Sequence, residues 1–101
     1  MTWFERIHIR TFSNESYCLL TEHLSQISSF VTEKNLDEFK VFTCPDVAYD
    51  IVVILEWGGT MPQNKRSVLG EELTQILSVY GSCNRSTWES VPSLEATSNK
   101  L

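Results

Sequence analysis

The chain has 101 residues and a mass of 11.6 kDa, the size of a single domain. Hydrophobic residues make up 42% and charged residues 21%, which is ordinary globular usage. Eight Lys and Arg against thirteen Asp and Glu give a formal net charge of −5. That balance excludes a phosphate-tracking nucleic-acid binder and docking on an anionic membrane surface, since both need a basic face.

Residues 3–12 alternate with period two. Trp3, Ile7 and Ile9 fall on one side, and Phe4, Arg6, His8, Arg10 and Phe12 on the other, which predicts a strand. Ser13 and Asn14 offer a helix N-cap, with Glu15 placed to suit the helix dipole. Tyr17, Leu20, Leu24, Ile27 and Val31 then step by three or four, predicting a helix to about Thr32. Residues 34–37 break that pattern. A short strand is expected over 39–44, with Phe39 and Val41 on one face and Phe42 on the other. Pro45 and Asp46 turn the chain. Residues 50–57 hold the most apolar run, Ile51 to Leu55. Being apolar on both faces, this strand should be central and form an antiparallel hairpin with the one before it.

Gly58, Gly59, Thr60, Met61 and Pro62 read as a loop. Ser67 is a candidate N-cap for a second helix with an apolar stripe of Leu69, Leu73, Ile76, Leu77 and Tyr80. Gly81 is placed to end that helix with a positive φ. A last short strand is expected over 82–91. The order β-α-β-β-α-β predicts a ferredoxin-like α+β domain over residues 1–91, with a four-stranded antiparallel sheet and two helices on one face. Residues 92–101 read as a polar C-terminal tail.

No stretch at the N-terminus reads as a secretory signal, and the run 51–55 falls far short of the roughly 20 residues of a membrane helix. The three cysteines, Cys18, Cys44 and Cys83, are odd in number and widely spaced, with no C-x-x-C. Reduced thiols and a cytoplasmic location are expected.

A sheet with helices on one side leaves its other face open. Val52, Ile54 and Phe42, with Trp57 or Trp88, are expected to make that face apolar, and a second copy laid over it would remove the exposure. This order of elements resembles the dimeric α+β-barrel superfamily, and the chain is similar to its small, uncharacterised members of the antibiotic-biosynthesis-monooxygenase type. The resemblance spans residues 3–91. It rests on Glu56-Trp57 at the end of the third strand, on the Leu-rich second helix with Tyr80-Gly81, and on the final strand with Trp88. It implies a homodimeric barrel with an interior pocket. The chain has no histidine after His23, where monooxygenase members commonly carry one or two, so no catalytic residue transfers from the family.

Candidate chemistry therefore comes from the residues themselves. Arg6, His8 and Arg10 share one face of the first strand. Between two arginines the cationic form of His8 is disfavoured by like charge, which makes it a candidate neutral acid or base, with Arg6 and Arg10 ready to hold a carboxylate or enolate-like oxygen. Trp57 and Trp88 are candidates for an aromatic wall around a planar ligand. The expected ligand is a small anionic or aromatic molecule in the barrel interior. The competing reading is a non-catalytic interaction module, in which the arginines pair with Asp50, Glu56 or Glu89 at an interface. His8 and His23 are not at metal-ligand spacing, so neither a metal nor a cofactor is expected.

Overall fold

The alternation of residues 3–12 becomes strand β1 (Trp3–Thr11), in which odd positions are buried and even positions half-buried or exposed. The structure, a computed structural model, describes residues 2–94. Helix α1 (Asn14–Ser28) follows, capped by Ser13, whose hydroxyl accepts from the Ser16 N–H. It stops four residues short of the expected Thr32. Ser29 closes it in an αR turn, and the Phe30 and Val31 N–H groups both bond the Ile27 carbonyl.

Strand β2 (Leu36–Thr43) begins three residues earlier than its pattern suggested, because Asn35, at φ 70°, turns the chain directly into it. Strand β3 (Asp50–Trp57) returns antiparallel to β2. Helix α2 (Val68–Leu77) is capped by Ser67, as its sequence predicted. Strand β4 (Gly81–Glu89) follows, and Pro92–Leu94 form a short 3-10 turn. The rest of the expected tail lies outside the described residues.

The sheet order is β2-β3-β1-β4, every pairing antiparallel. This is the ferredoxin-like βαββαβ fold. Both helices lie on the odd face of β1. There Ile7, Ile9, Ile51, Val53 and Leu55 pack against Leu20, Leu24, Leu73 and Leu77. Burial of these aliphatic side chains, each worth about 1.5–3 kcal/mol, is the main drive to the fold.

Gly81 does not have the positive φ expected of it. It opens β4 opposite Thr11, where an added Cβ would stand 2.3 Å from the Arg10 carbonyl oxygen. A glycine is needed there for close backbone approach, not for a left-handed helix end.

Candidate functional site

The strand register gathers one charged cluster on the open face. Pairing β1 with β3 sets Arg10 opposite Asp50, His8 opposite Val52 and Arg6 opposite Ile54. Even positions of β1 point away from the helices, so Arg6, His8 and Arg10 project to the same side as Asp50. His8 Nε2 donates to Asp50 Oδ2 at 2.8 Å. Arg10 donates from Nε and Nη2 to the two Asp50 oxygens, each at 3.3 Å. Arg6 Nη2 approaches His8 Nδ1 at 3.5 Å, the outer limit of a hydrogen bond.

Asp50 is the residue that organises this group. It is 5% exposed. Burial alone would raise its pKa. Hydrogen bonds from Arg10 and His8, and then their charges, outweigh burial and hold the carboxyl below the usual carboxylate value. An ionised Asp50 only accepts hydrogen bonds, so it fixes the His8 tautomer with the proton on Nε2. Nδ1 then presents its lone pair beside the Arg6 guanidinium. An imidazole oriented by a carboxylate, with a cation next to its free nitrogen, can accept a proton from a bound molecule and stabilise the anion left behind.

A hollow of about 280 Å³ lies over the cluster. Arg6, His8, Arg10 and Asp50 form its polar side, and Phe42 and Val52 its apolar side. Cys44, in the β2–β3 turn, stands at its edge, and a shallower hollow beside it reaches Ser82 and Asn84 of β4.

The two expected tryptophans do not join this group. Trp88 is on the open face, opposite Phe4 and 58% exposed. Its indole N–H donates to Ser86 Oγ at 2.8 Å, and its ring does not line the hollow. Trp57 was expected with Arg6, His8 and Arg10 but lies on the helix-covered face. It shares the parity of Ile51, Val53 and Leu55, pairs with Trp3 and stacks on it with ring centroids 5.6 Å apart. Burial of that ring in the core places it on the far side of the sheet from His8.

Trp57 belongs to a second polar group that the sequence reading missed. Glu5 is fully buried under the start of α2. Its carboxylate accepts from Trp57 Nε1 at 3.0 Å, from the Ser67 N–H at 3.1 Å and from the Ser67 hydroxyl. It also pairs with Arg85 Nη2, while Arg85 Nη1 bonds Glu71 at 2.8 Å. Glu5 among the odd, apolar positions of β1 was the available signal, because a carboxylate inside a core requires a partner. The partner stands 80 residues away, and the Ile7–Arg85 pairing brings it there.

Beside this network the strand ends open into a cleft of about 510 Å³, walled by Trp3, Gly59, Thr60, Met61 and Glu89. The Trp3 indole N–H is buried without a hydrogen-bond partner among the described residues. His23, expected at the edge of the α1 stripe, bonds the Tyr80 hydroxyl at 2.9 Å and lies in neither site. Among the described residues no three His, Cys, Asp or Glu side chains converge as metal ligands.

No protein-family model matches the sequence, and a search of curated proteins finds no match. Solved structures do match. A Deinococcus radiodurans protein, provisionally assigned as an antibiotic biosynthesis monooxygenase, superposes with a TM-score of 0.67 at 12% identity, over 96% of this chain and 99% of that one. A conserved protein from Methanosarcina mazei Go1 gives 0.64 at 14% identity, over 90% and 94%. A variant of SnoaB, a cofactor-independent oxygenase from Streptomyces nogalater, gives 0.54 at 6% identity, over 88% and 91%. At such identities the likeness is one of fold. The chain is thus a small ferredoxin-like α+β protein, built like these three over nearly its whole length. It carries a His–Asp–Arg cluster on one sheet face and a tryptophan-walled cleft at the sheet's end.

Proposed function

We propose that the protein is a homodimeric α+β barrel, active in the cytoplasm, that binds or transforms a small anionic or aromatic molecule over the open sheet face. The observation that carries this reading is the cluster itself. A histidine held by a buried carboxylate, with its free nitrogen beside a guanidinium, stands at the floor of a hollow large enough for a small molecule. In this reading His8 exchanges the proton, Arg6 and Arg10 attract the anion, and Asp50 orients His8. Trp88 borders the apolar part of the same face.

Enclosure by a second copy follows from what the face exposes. Phe42 is 51% exposed and Trp88 58%, with Phe4, Val52 and Ile54 half-buried between them. Covering these groups recovers about 25 cal/mol for each Å² removed from water. No helix among the described residues is long and apolar enough to cross a membrane.

A second reading has its own observation. The Trp3 ring walls the larger cleft and is backed by its stack on Trp57, which suits a flat aromatic molecule. Trp57 would support the Trp3 ring there, on the face opposite His8.

Native mass spectrometry of the untreated protein, before and after mild denaturation, tests both. A dimer carrying a mass that denaturation releases is expected. His8→Ala should keep the dimer and lose the adduct. An adduct retained in His8→Ala but lost in Trp3→Ala moves the site to the cleft. A clean dimer would refute the pocket and favour the interaction module, and a monomer would refute the barrel.

A further inference from the structure

The charges of the open face do not cancel residue by residue, and the remainder has a definite place. Arg10 is taken by Asp50. Lys40 of β2 stands 3.9 Å from Glu38 of the same strand. The β4 residues beside His8, Ser82 and Asn84, are uncharged. Arg6 makes no ion pair among the described residues. The nearest carboxylate by register is Glu56, diagonal to Arg6 across the β1–β3 pair, a separation that a long side chain can bridge. Arg6 nonetheless directs its guanidinium to the uncharged Nδ1 of His8. A cation set against a lone pair, with no counter-ion, is an incomplete arrangement that one oxyanion would complete.

We propose that the open face binds one monoanion, a carboxylate or an oxyanion of similar charge, between Arg6 and His8, and that binding takes up one proton from solvent onto His8 Nδ1. This rests on the reading of the His8 hollow as the binding site. The proton balance follows from the geometry. Without the anion, an N–H on Nδ1 would face the Arg6 guanidinium donor to donor. With the anion seated, one oxygen accepts from Arg6 and the other accepts the new Nδ1–H, while Asp50 keeps its bond to Nε2–H. Arg6 touches the anion, while Arg10 adds its charge from a distance and holds Asp50 ionised. The hollow's apolar side, Phe42 and Val52, selects a monoanion with an apolar body over a fully hydrated inorganic ion.

Benzoate is a suitable probe, because its charge is constant across the range in which a histidine titrates. Its binding to the full-length protein would be followed by NMR through the ring signals of the two histidines, with His23, held by Tyr80, as internal reference. The proton count would be read by calorimetry in buffers of different ionisation enthalpy. The expected result is a shift of the His8 signals alone, uptake approaching one proton, and binding that weakens by about tenfold per pH unit where the uptake is near one. Arg6→Gln should abolish binding at both pH values. His8→Gln should leave weaker binding that no longer depends on pH.

Binding with no pH dependence and no proton uptake would overturn the proposal while leaving the hollow as a site. Loss of binding in Arg10→Gln with Arg6→Gln unaffected would overturn the assignment to Arg6. Absence of benzoate binding up to solubility would overturn it as well. A neutral molecule released from the hollow in native mass spectrometry would do the same, while sustaining the proposed function.

Discussion

Gly70→Ala offers a sign test of the buried network, because helix propensity and packing predict opposite outcomes. Gly70 lies in the first turn of α2, where alanine would ordinarily gain about 1 kcal/mol. In this fold a Cβ at Gly70 would stand 2.6 Å from Arg85 Nη2 and 2.7 Å from Glu5 Oε2. Both atoms must retreat by about 0.7 Å to reach ordinary van der Waals contact. They end side chains, but neither is free to move. Glu5 is pinned by Trp57 and Ser67, and Arg85 by Glu71 and the Ser67 carbonyl. Such a retreat weakens at least one hydrogen bond to a charged group, about 1.5–3 kcal/mol, and adds about 1–3 kcal/mol of overpacking. Subtracting the propensity gain leaves a net loss of about 1.5–5 kcal/mol. In a domain of this size that lowers Tm by about 6 °C at the least and by a few tens of degrees at the upper end. Urea unfolding followed by tryptophan fluorescence should show a lower midpoint with an unchanged slope. An alanine variant as stable as wild type, or more so, would refute the tight packing of Gly70 on the ion pair.

Two further predictions address the polar groups. Asp50 has a depressed carboxyl pKa in the folded state, so its contribution is complete above the unfolded value near 3.9 and is lost as pH falls through the folded value. Wild type should therefore lose more stability than Asp50→Asn on acidification below about pH 4, while at neutral pH the variant should be less stable by about 1.5–3 kcal/mol. Curves of equal acid dependence, from urea midpoints at stepped pH, would contradict that sign. The paired tryptophans should also differ. Trp57→Phe removes a donor to buried Glu5, whereas Trp3→Phe removes an indole N–H that has no partner among the described residues. The Trp57 variant should be the less stable of the two by about 1–3 kcal/mol in urea unfolding, and equal losses would refute the difference.

The order of elements, the caps at Ser13 and Ser67 and the face shared by Arg6, His8 and Arg10 were all legible in the sequence. Each depends on residues a few positions apart, where backbone geometry ties spacing to direction. Boundaries were less legible. Nothing in the apolar steps through Val31 marks the end of α1 at Ser28, because solvent exposure of Phe30 is a tertiary fact. The side taken by Trp57 was misread although its parity marked it: with Val52 and Ile54 on the open face, Trp57 falls with Ile51, Val53 and Leu55 on the covered one. The partners were least legible of all. Asp50 meets His8 across 42 residues and Arg85 meets Glu5 across 80. Alternation along β1 says that a carboxylate is buried and that a histidine is not. Which distant charge answers each one is set by strand order and register, and those are decided only when the whole sheet closes over its core.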